Sequence, residues 1–132
     1  MPLATVLVVE DNPANMELVH DLLTVAGFRV LTATTAEQAI QLASTDQPDL
    51  VLMDIGLPGM DGLEATRRLK RDPTTAAIPI VCLTAHAMHG DEARARLAGC
   101  DGYLTKPLDV RSFADAVAGF IVGLEHTNDD QA

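Results

Sequence analysis

Basic residues are scarce in this chain. Of its 132 residues, nine are lysine or arginine and nineteen are aspartate or glutamate, which gives a formal net charge of −10. A surface with this excess of negative charge repels phosphate backbones and anionic lipids. We therefore expect neither a nucleic acid nor a membrane surface as a direct partner.

Long apolar runs and closely spaced cysteines are also missing. No stretch approaches the roughly 18 to 20 uninterrupted apolar residues of a membrane span, and the N-terminus lacks the basic flank of a secretory signal. Cys82 and Cys100 form no Cys-x-x-Cys or cysteine–histidine pattern, so we expect reduced, structural thiols. The 48% apolar content suffices for one core. Together these features predict a single cytoplasmic domain.

The chain does contain a regular alternation of strands and helices. Continuous runs of β-branched residues and leucine are typical of strands that are buried on both faces of a parallel sheet. Such runs occupy Thr5–Val9, Leu50–Met53 and Ile78–Leu83, and shorter strands are predicted at Arg29–Ala33 and Gly102–Thr105.

A helical pattern follows each of these five strands. The predicted helices run from Asn12-Pro13 to Gly27, from Thr35 to Gln47, over Leu63–Arg71, over Asp91–Ala98 and over Val110–Leu124. The first has an Asn cap, a Pro opening and a Gly end, and the second begins with a capping box formed by Thr35 and Gln38. The pattern predicts an α/β fold of (βα)5 type, a doubly wound parallel five-stranded sheet. We assign residues 1–124 to this domain and expect the polar tail 125–132 to be disordered.

Polar residues stand at the ends of the apolar runs. They are Glu10, Asp11, Asp54, Thr84 and Lys106. The pattern alone does not fix the order of the strands, but 2-1-3-4-5 is common for five such units. That order brings the carboxyl ends of the first and third strands together at a switch point. We therefore expect these side chains to share one crevice.

The chemistry of this set points to a cation and a phosphate. Carboxylates a few ångströms apart repel each other by about 4 kcal/mol per pair at an effective dielectric constant near 20. A divalent metal relieves this repulsion, and Mg²⁺ prefers one or two carboxylates together with phosphoryl oxygens. Lys106 is long enough to reach a group held over Asp54, and Thr84 adds a short hydroxyl.

Four motifs in this order and spacing resemble the receiver domain of bacterial two-component response regulators. They are Val8–Asn12, Leu52–Gly62, Leu83–Ala85 and Asp101–Pro107, and the resemblance covers about residues 5 to 122. It implies a flavodoxin-like fold. It also implies that Asp54 accepts a phosphoryl group from a histidine kinase or a histidine phosphotransfer protein.

The resemblance further implies roles for the neighbouring residues. Glu10, Asp11, Asp54 and the backbone carbonyl of Gly56 would hold Mg²⁺ or Mn²⁺. The first acid is Glu10, where Asp is the other common choice in this family, and this leaves the metal affinity open.

Other residues match the switch of the family. Thr84 and Lys106 would engage the phosphoryl oxygens, and Tyr103 would rotate as Thr84 moves. The peptide bond between Lys106 and Pro107 matches a cis position. The output would be a changed face of the fourth helix, fifth strand and fifth helix, presented to a downstream protein by a monomer or a weak, phosphorylation-dependent dimer.

Three alternatives remain at this point. A receiver fragment of a hybrid histidine kinase fits equally well, although the initial methionine and the acidic tail favour a complete single-domain protein. An FMN-binding protein would need a Ser/Thr/Gly-rich phosphate loop after the first strand, and the chain lacks one. A phosphatase with an aspartate nucleophile would need a second Asp two residues after Asp11, where Pro13 stands.

Overall fold

A computed structural model describes residues 4–57, 59–84, 91–106 and 108–121. Its strands are β1 (Thr5–Val9), β2 (Arg29–Ala33), β3 (Leu50–Asp54), β4 (Ile80–Thr84) and β5 (Gly102–Thr105). Its helices are α1 (Pro13–Val25), α2 (Ala36–Asp46), α3 (Gly62–Arg71), α4 (Asp91–Ala98) and α5 over residues 113–121. The predicted (βα)5 alternation is confirmed.

All five strands are parallel, in the order β2-β1-β3-β4-β5. The expected order is therefore confirmed, and β1 and β3 are neighbours. Val9 pairs with Met53 in the register of β1 and β3, and Asp54 pairs with Leu83 in that of β3 and β4. The polar residues that follow these strands consequently meet at one edge of the sheet.

Apolar cores cover both faces of the sheet, because successive strand residues point to opposite sides. The core under α2, α3 and α4 contains Leu7, Val9, Val51, Met53, Ile80 and Cys82. The core under α1 and α5 contains Val6, Val8, Leu50, Leu52 and Val81. Each large apolar side chain buried in this way stabilises the fold by about 1.5 to 3 kcal/mol. Both cysteines are free thiols, as predicted.

The predicted caps fix the ends of α1. The side chain of Asn12 accepts a hydrogen bond from the Asn15 N–H at 3.0 Å, and Pro13 is the first helical residue. Gly27 has a φ of +98° beyond the last turn, where the Phe28 N–H donates to the Leu23 carbonyl at 3.0 Å. This left-handed position favours glycine.

The start of α2 departs from the predicted capping box. The Thr35 hydroxyl oxygen accepts from the Gln38 N–H at 3.2 Å, as expected. The Gln38 side chain instead accepts from the N–H of Thr34 at 2.9 Å, one residue before the cap. The helix ends at Gln47 in the left-handed conformation, with a φ of 49°. The side-chain amide of Gln47 donates to the Thr74 carbonyl at 2.9 Å, and this contact joins the end of α2 to the turn that follows α3.

Two predicted boundaries were wrong. Strand β4 begins at Ile80 and not at Ile78, because the Ile78 N–H donates to the Thr75 carbonyl at 3.0 Å within a turn. Helix α5 begins at residue 113 and not at Val110. Asp109 explains the later start, since its side chain accepts from the Arg111 N–H at 3.0 Å and closes a turn there.

Some predictions fall on parts of the chain that lie outside the described residues. These are the cis peptide between Lys106 and Pro107, the end of α5 and the tail 125–132. Within the described ranges, no helix combines the length and the apolar character that crossing a membrane requires.

The start of α3 lies directly against the end of β3. A Cβ atom on Gly62 would collide with the carbonyl oxygen of Asp54 and would lie 2.8 Å from the Cα of Ile55. Both neighbours are backbone atoms and cannot rotate away. Glycine at position 62 therefore allows the close approach that places α3 beside the end of the strand carrying Asp54.

We expect Gly62→Ala to lower the free energy of unfolding by about 1 to 3 kcal/mol, because the backbone must shift to admit the methyl group. Urea denaturation measures this change. Gly119→Ala is the matched control within α5. Outside its own helix, no atom of the described residues lies within 4 Å of a Cβ there, so this variant should be more stable by about 0.5 to 1 kcal/mol. Equal effects at both positions would contradict the close approach.

Candidate functional site

Two acidic side chains are nearly buried at the carboxyl edge of the sheet. Asp54 is the last residue of β3 and Glu10 follows β1, where its N–H donates to the Ala33 carbonyl at 3.0 Å. Their exposed fractions are 6% and 2%. Buried carboxylates are costly unless they are paired, so their position requires a partner charge.

A third acid completes the cluster. One carboxylate oxygen from each of Glu10, Asp11 and Asp54 lies within 4.8 Å of the other two, and Asp11 is exposed. The structure thus brings these three predicted residues together. Three hard oxygen ligands at this spacing fit a divalent cation such as Mg²⁺.

Among the described residues, Lys106 pairs with this acidic cluster and supplies it with a positive charge. Its Nζ lies 3.1 Å from Glu10 Oε2 and 3.2 Å from Asp54 Oδ2. The lysine follows β5, and its N–H donates to the Thr84 carbonyl at 2.7 Å, which extends the strand pairing by one residue. The parallel register therefore determines where the ammonium group stands.

The pKa shifts reflect this sharing of one ammonium by two carboxylates. Burial raises the pKa of Glu10, and the nearby charge of Asp54 raises it further against the hydrogen bond from Lys106. Burial disfavours the charged form of Lys106, but the carboxylates of Asp54 and Glu10 outweigh it and raise the pKa of the lysine. Lys106 is therefore cationic at neutral pH.

Backbone N–H groups orient both carboxylates. Asp54 Oδ1 accepts from the Gly56 N–H at 2.9 Å, and Glu10 Oε1 accepts from the Asn12 N–H at 3.2 Å. Each carboxylate thus directs one oxygen to the backbone and the other to Lys106. These N–H partners had not been predicted from the sequence. The role predicted for the Gly56 carbonyl, as a metal ligand, stays a prediction.

Thr84, at the end of β4, has a buried hydroxyl with no hydrogen-bond partner among the described residues. Two other buried threonines are satisfied. The Thr66 hydroxyl donates to the Gly62 carbonyl at 2.8 Å and that of Thr75 to the Leu69 carbonyl at 2.6 Å. An unpaired buried hydroxyl costs about 1 to 3 kcal/mol, so Thr84 is a donor that gains from an added acceptor.

Tyr103, the predicted switch residue, is half-buried on β5 beside α4. It pairs with Cys82 in the strand register. The guanidinium of Arg96 lies over its ring, 5.7 Å from the ring centroid. Its role as a switch stays a prediction.

A cavity adjoins the acidic cluster and had not been predicted. Its volume is about 380 Å³, and it is lined by Glu10, Asn15, Leu18, Val19, Leu83, Lys106 and Leu108. Leu18 is 41% exposed at its edge. Leu18 is the sequence feature that could have indicated the cavity, because it is an apolar residue of α1 outside the stripe of Met16, Val19 and Leu23 that faces the core.

We expect Thr84→Val to raise the free energy of unfolding by about 1 kcal/mol, because it removes a buried hydroxyl that has no partner among the described residues while keeping the shape of the side chain. The matched control is Thr66→Val, which removes a satisfied hydroxyl and should lower the free energy of unfolding by about 1 kcal/mol. Urea denaturation of both variants measures the two signs. A loss of stability in both would show that Thr84 is not an unsatisfied donor.

Comparison with known proteins agrees with this geometry. The family model of the response regulator receiver domain matches residues 6–118. The polar-differentiation response regulator DivK of Brucella ovis is 41% identical over 117 residues, which cover 89% of this chain and 95% of that protein.

Solved structures give the same result. A putative response regulator from Chloroflexus aurantiacus aligns with a TM-score of 0.87 and 30% identity, over 92% of this chain and 99% of that one. The receiver domain of sensor histidine kinase PA1611 from Pseudomonas aeruginosa has a TM-score of 0.84 and 33% identity, over 91% of this chain and 98% of that one. That structure holds a magnesium ion in its active-site cleft.

These matches cover most of the chain and include the strands next to the acidic cluster and the lysine. They set aside the FMN-binding and phosphatase alternatives. The chain belongs to the response regulator receiver domain family.

Proposed function

We propose that Asp54 accepts a phosphoryl group from the phosphohistidine of a histidine kinase or a histidine phosphotransfer protein. The observation that carries this proposal is the ammonium group of Lys106, which lies between Glu10 Oε2 at 3.1 Å and Asp54 Oδ2 at 3.2 Å. Phosphoryl transfer depends mainly on positioning and on neutralising charge, and this arrangement supplies both.

The transfer forms one bond and breaks another. A carboxylate oxygen of Asp54 bonds to phosphorus, and the bond between phosphorus and the donor imidazole nitrogen breaks, with the electron pair returning to the imidazole. The product is an acyl phosphate on Asp54. The Gly56 N–H orients the carboxylate through Oδ1, and Lys106 stabilises negative charge on the phosphoryl oxygens.

The residues present fit a magnesium ion. Three carboxylates and one ammonium leave a formal charge of −3 + 1 = −2 in the cluster of Glu10, Asp11, Asp54 and Lys106. The three acids, together with the carbonyl of Gly56, would hold Mg²⁺ or Mn²⁺. Bound there, the ion neutralises charge on the phosphoryl oxygens as the new bond forms. The magnesium in the related receiver domain from P. aeruginosa supports this assignment.

The acyl phosphate would act as a signal. It adds a charge of about −2 and acceptor oxygens, which Lys106 and the buried hydroxyl of Thr84 can engage. The resulting change would alter the face of α4, β5 and α5 that a downstream protein binds. The chain would act in the cytoplasm as a monomer or a weak, phosphorylation-dependent dimer, and would promote only its own phosphorylation and dephosphorylation.

A second candidate is that this receiver domain is part of a hybrid histidine kinase, since the similar domain from P. aeruginosa belongs to a sensor histidine kinase. The chemistry at Asp54 is the same in both. Asp54 would therefore accept the phosphoryl group in a single-domain protein and in a hybrid kinase alike.

Incubation with acetyl phosphate and Mg²⁺ should add the mass of one phosphoryl group to the intact chain, as measured by mass spectrometry. Omitting Mg²⁺ should reduce this product strongly, because the cluster keeps its excess negative charge. Asp54→Ala should remove the product completely. A stable adduct on that variant, or none on the unmodified chain with metal present, would refute the assignment.

Asp11→Asn should weaken Mg²⁺ binding at least about tenfold, since it removes one charged oxygen ligand from the cluster. Isothermal titration calorimetry measures the affinity. Asp21→Asn changes another exposed acid, on α1, and should leave the affinity unchanged. Equal affinities for the Asp11 variant and the unmodified chain would place the ion elsewhere.

A further inference from the structure

One charged residue of α4 contacts Tyr103 and is itself paired with a second. Glu92 and Arg96 are one helical turn apart, and Arg96 Nη2 lies 2.8 Å from Glu92 Oε1. The same guanidinium lies 5.7 Å from the centroid of the Tyr103 ring. The nearby carboxylate of Glu92 is the main reason that the pKa of Tyr103 is raised, with burial adding to it.

The strand register links Tyr103 to the phosphorylation site. Cys82 pairs with Tyr103, and Thr84 pairs with Thr105, so residues 82 and 84 of β4 and residues 103 and 105 of β5 point to the same face of the sheet. That face packs against α2, α3 and α4, as the core contacts of Cys82 and Tyr103 show. The unpaired hydroxyl of Thr84 and the ring of Tyr103 therefore belong to one layer of side chains.

We infer that Glu92 and Arg96 form a latch that holds Tyr103 against α4 and thereby sets how readily the chain reaches its phosphorylated conformation. The inference rests on the proposed function of Asp54. A movement of Thr84 towards a phosphoryl oxygen changes the layer that Tyr103 shares with it. If Tyr103 follows, it leaves the guanidinium of Arg96, which the ion pair with Glu92 holds in place. Glu92 and Arg96 are thus positioning residues that never touch the phosphoryl group.

The latch is weak enough to be reversible. The side chain of Arg96 is 67% exposed and that of Glu92 is 34% exposed, so water screens their attraction. Loss of an exposed ion pair of this kind shifts a two-state equilibrium by about two- to fivefold. We expect a change of that size in the population of the conformation in which Tyr103 has left α4.

The composition of the chain allows a direct measurement. Tyr103 is the one tyrosine in the sequence, so incorporation of 3-fluorotyrosine gives a single ¹⁹F resonance that reports on this side chain alone. The variants are Glu92→Ala and Arg96→Ala, with Arg96→Lys as the conservative replacement. The control is Glu64→Gln on α3, which removes a comparable surface partner of Arg68, 3.4 Å away in an i,i+4 pair.

In the unphosphorylated chain, both alanine variants should move the resonance towards the position it takes in the unmodified chain after acetyl phosphate and Mg²⁺ are added. The initial rate of Asp54 phosphorylation, followed by intact mass, should rise about two- to fivefold in both. Arg96→Lys should restore most of the original resonance position, because it keeps the cation. Glu64→Gln should change neither readout.

The outcomes separate the latch from the site chemistry. If the unmodified chain is phosphorylated and the resonance or the rate stays unchanged in both alanine variants, the latch is refuted while the function of Asp54 stands. Failure of the unmodified chain itself to gain a phosphoryl group would refute the proposed function. In that event, an unmoved resonance in the alanine variants would also show that the two residues do not position Tyr103.

Discussion

The attraction between one lysine and two nearly buried carboxylates is the interaction on which the site depends. Without Lys106, Glu10 and Asp54 would face each other across neighbouring strands, and two such charges about 4 Å apart repel by about 4 kcal/mol at an effective dielectric constant near 20. The lysine offsets part of this cost, as its contacts of 3.1 and 3.2 Å show. Asp11 adds further negative charge, so the cluster remains short of positive charge. The two apolar cores stabilise the fold enough to keep this unfavourable arrangement in place.

The alternation of side chains along parallel strands divides the site between the two faces of the sheet. Glu10, Asp54 and Lys106 follow the alternation of residues that pack towards α1 and α5, and Glu10 and Lys106 line the cavity beside α1. Thr84 and Tyr103 follow the alternation towards α3 and α4. A group bound at Asp54 that contacts both Lys106 and Thr84 therefore interacts with side chains from both faces of the sheet. Under the proposed function, this division would let a local change of charge at Asp54 reach α4, none of whose described residues belongs to the acidic cluster.

Sequence periodicity predicted the secondary-structure elements, which depend on local pattern. It did not predict the contacts between segments that are distant in sequence. The five strands, the five helices and the convergence of the three acids with Lys106 followed from apolar runs, caps and the common strand order. The contact of Gly62 with the backbone of Asp54 could not be predicted, because it depends on how close α3 approaches β3. The left-handed conformation of Gln47 at the end of α2 could not be predicted for a similar reason. Its partner, the carbonyl of Thr74, is 27 residues away in sequence. The late start of α5 reflects a turn that precedes it, which the side chain of Asp109 closes by accepting from the Arg111 N–H.

The relative strengths of the interactions indicate which one controls Tyr103. A cation–π contact at an exposed site, such as that of Arg96 with the Tyr103 ring, contributes about 0.5 to 1 kcal/mol. A hydrogen bond to a charged phosphoryl oxygen contributes about 1.5 to 3 kcal/mol. The buried hydroxyl of Thr84, which has no partner among the described residues, can donate such a bond. Under the proposed function, the gain at Thr84 would exceed the cost of leaving α4, and phosphorylation would release Tyr103. A much stronger contact, such as a fully buried ion pair, would keep Tyr103 in place in both states and would disconnect α4 from the chemistry at Asp54.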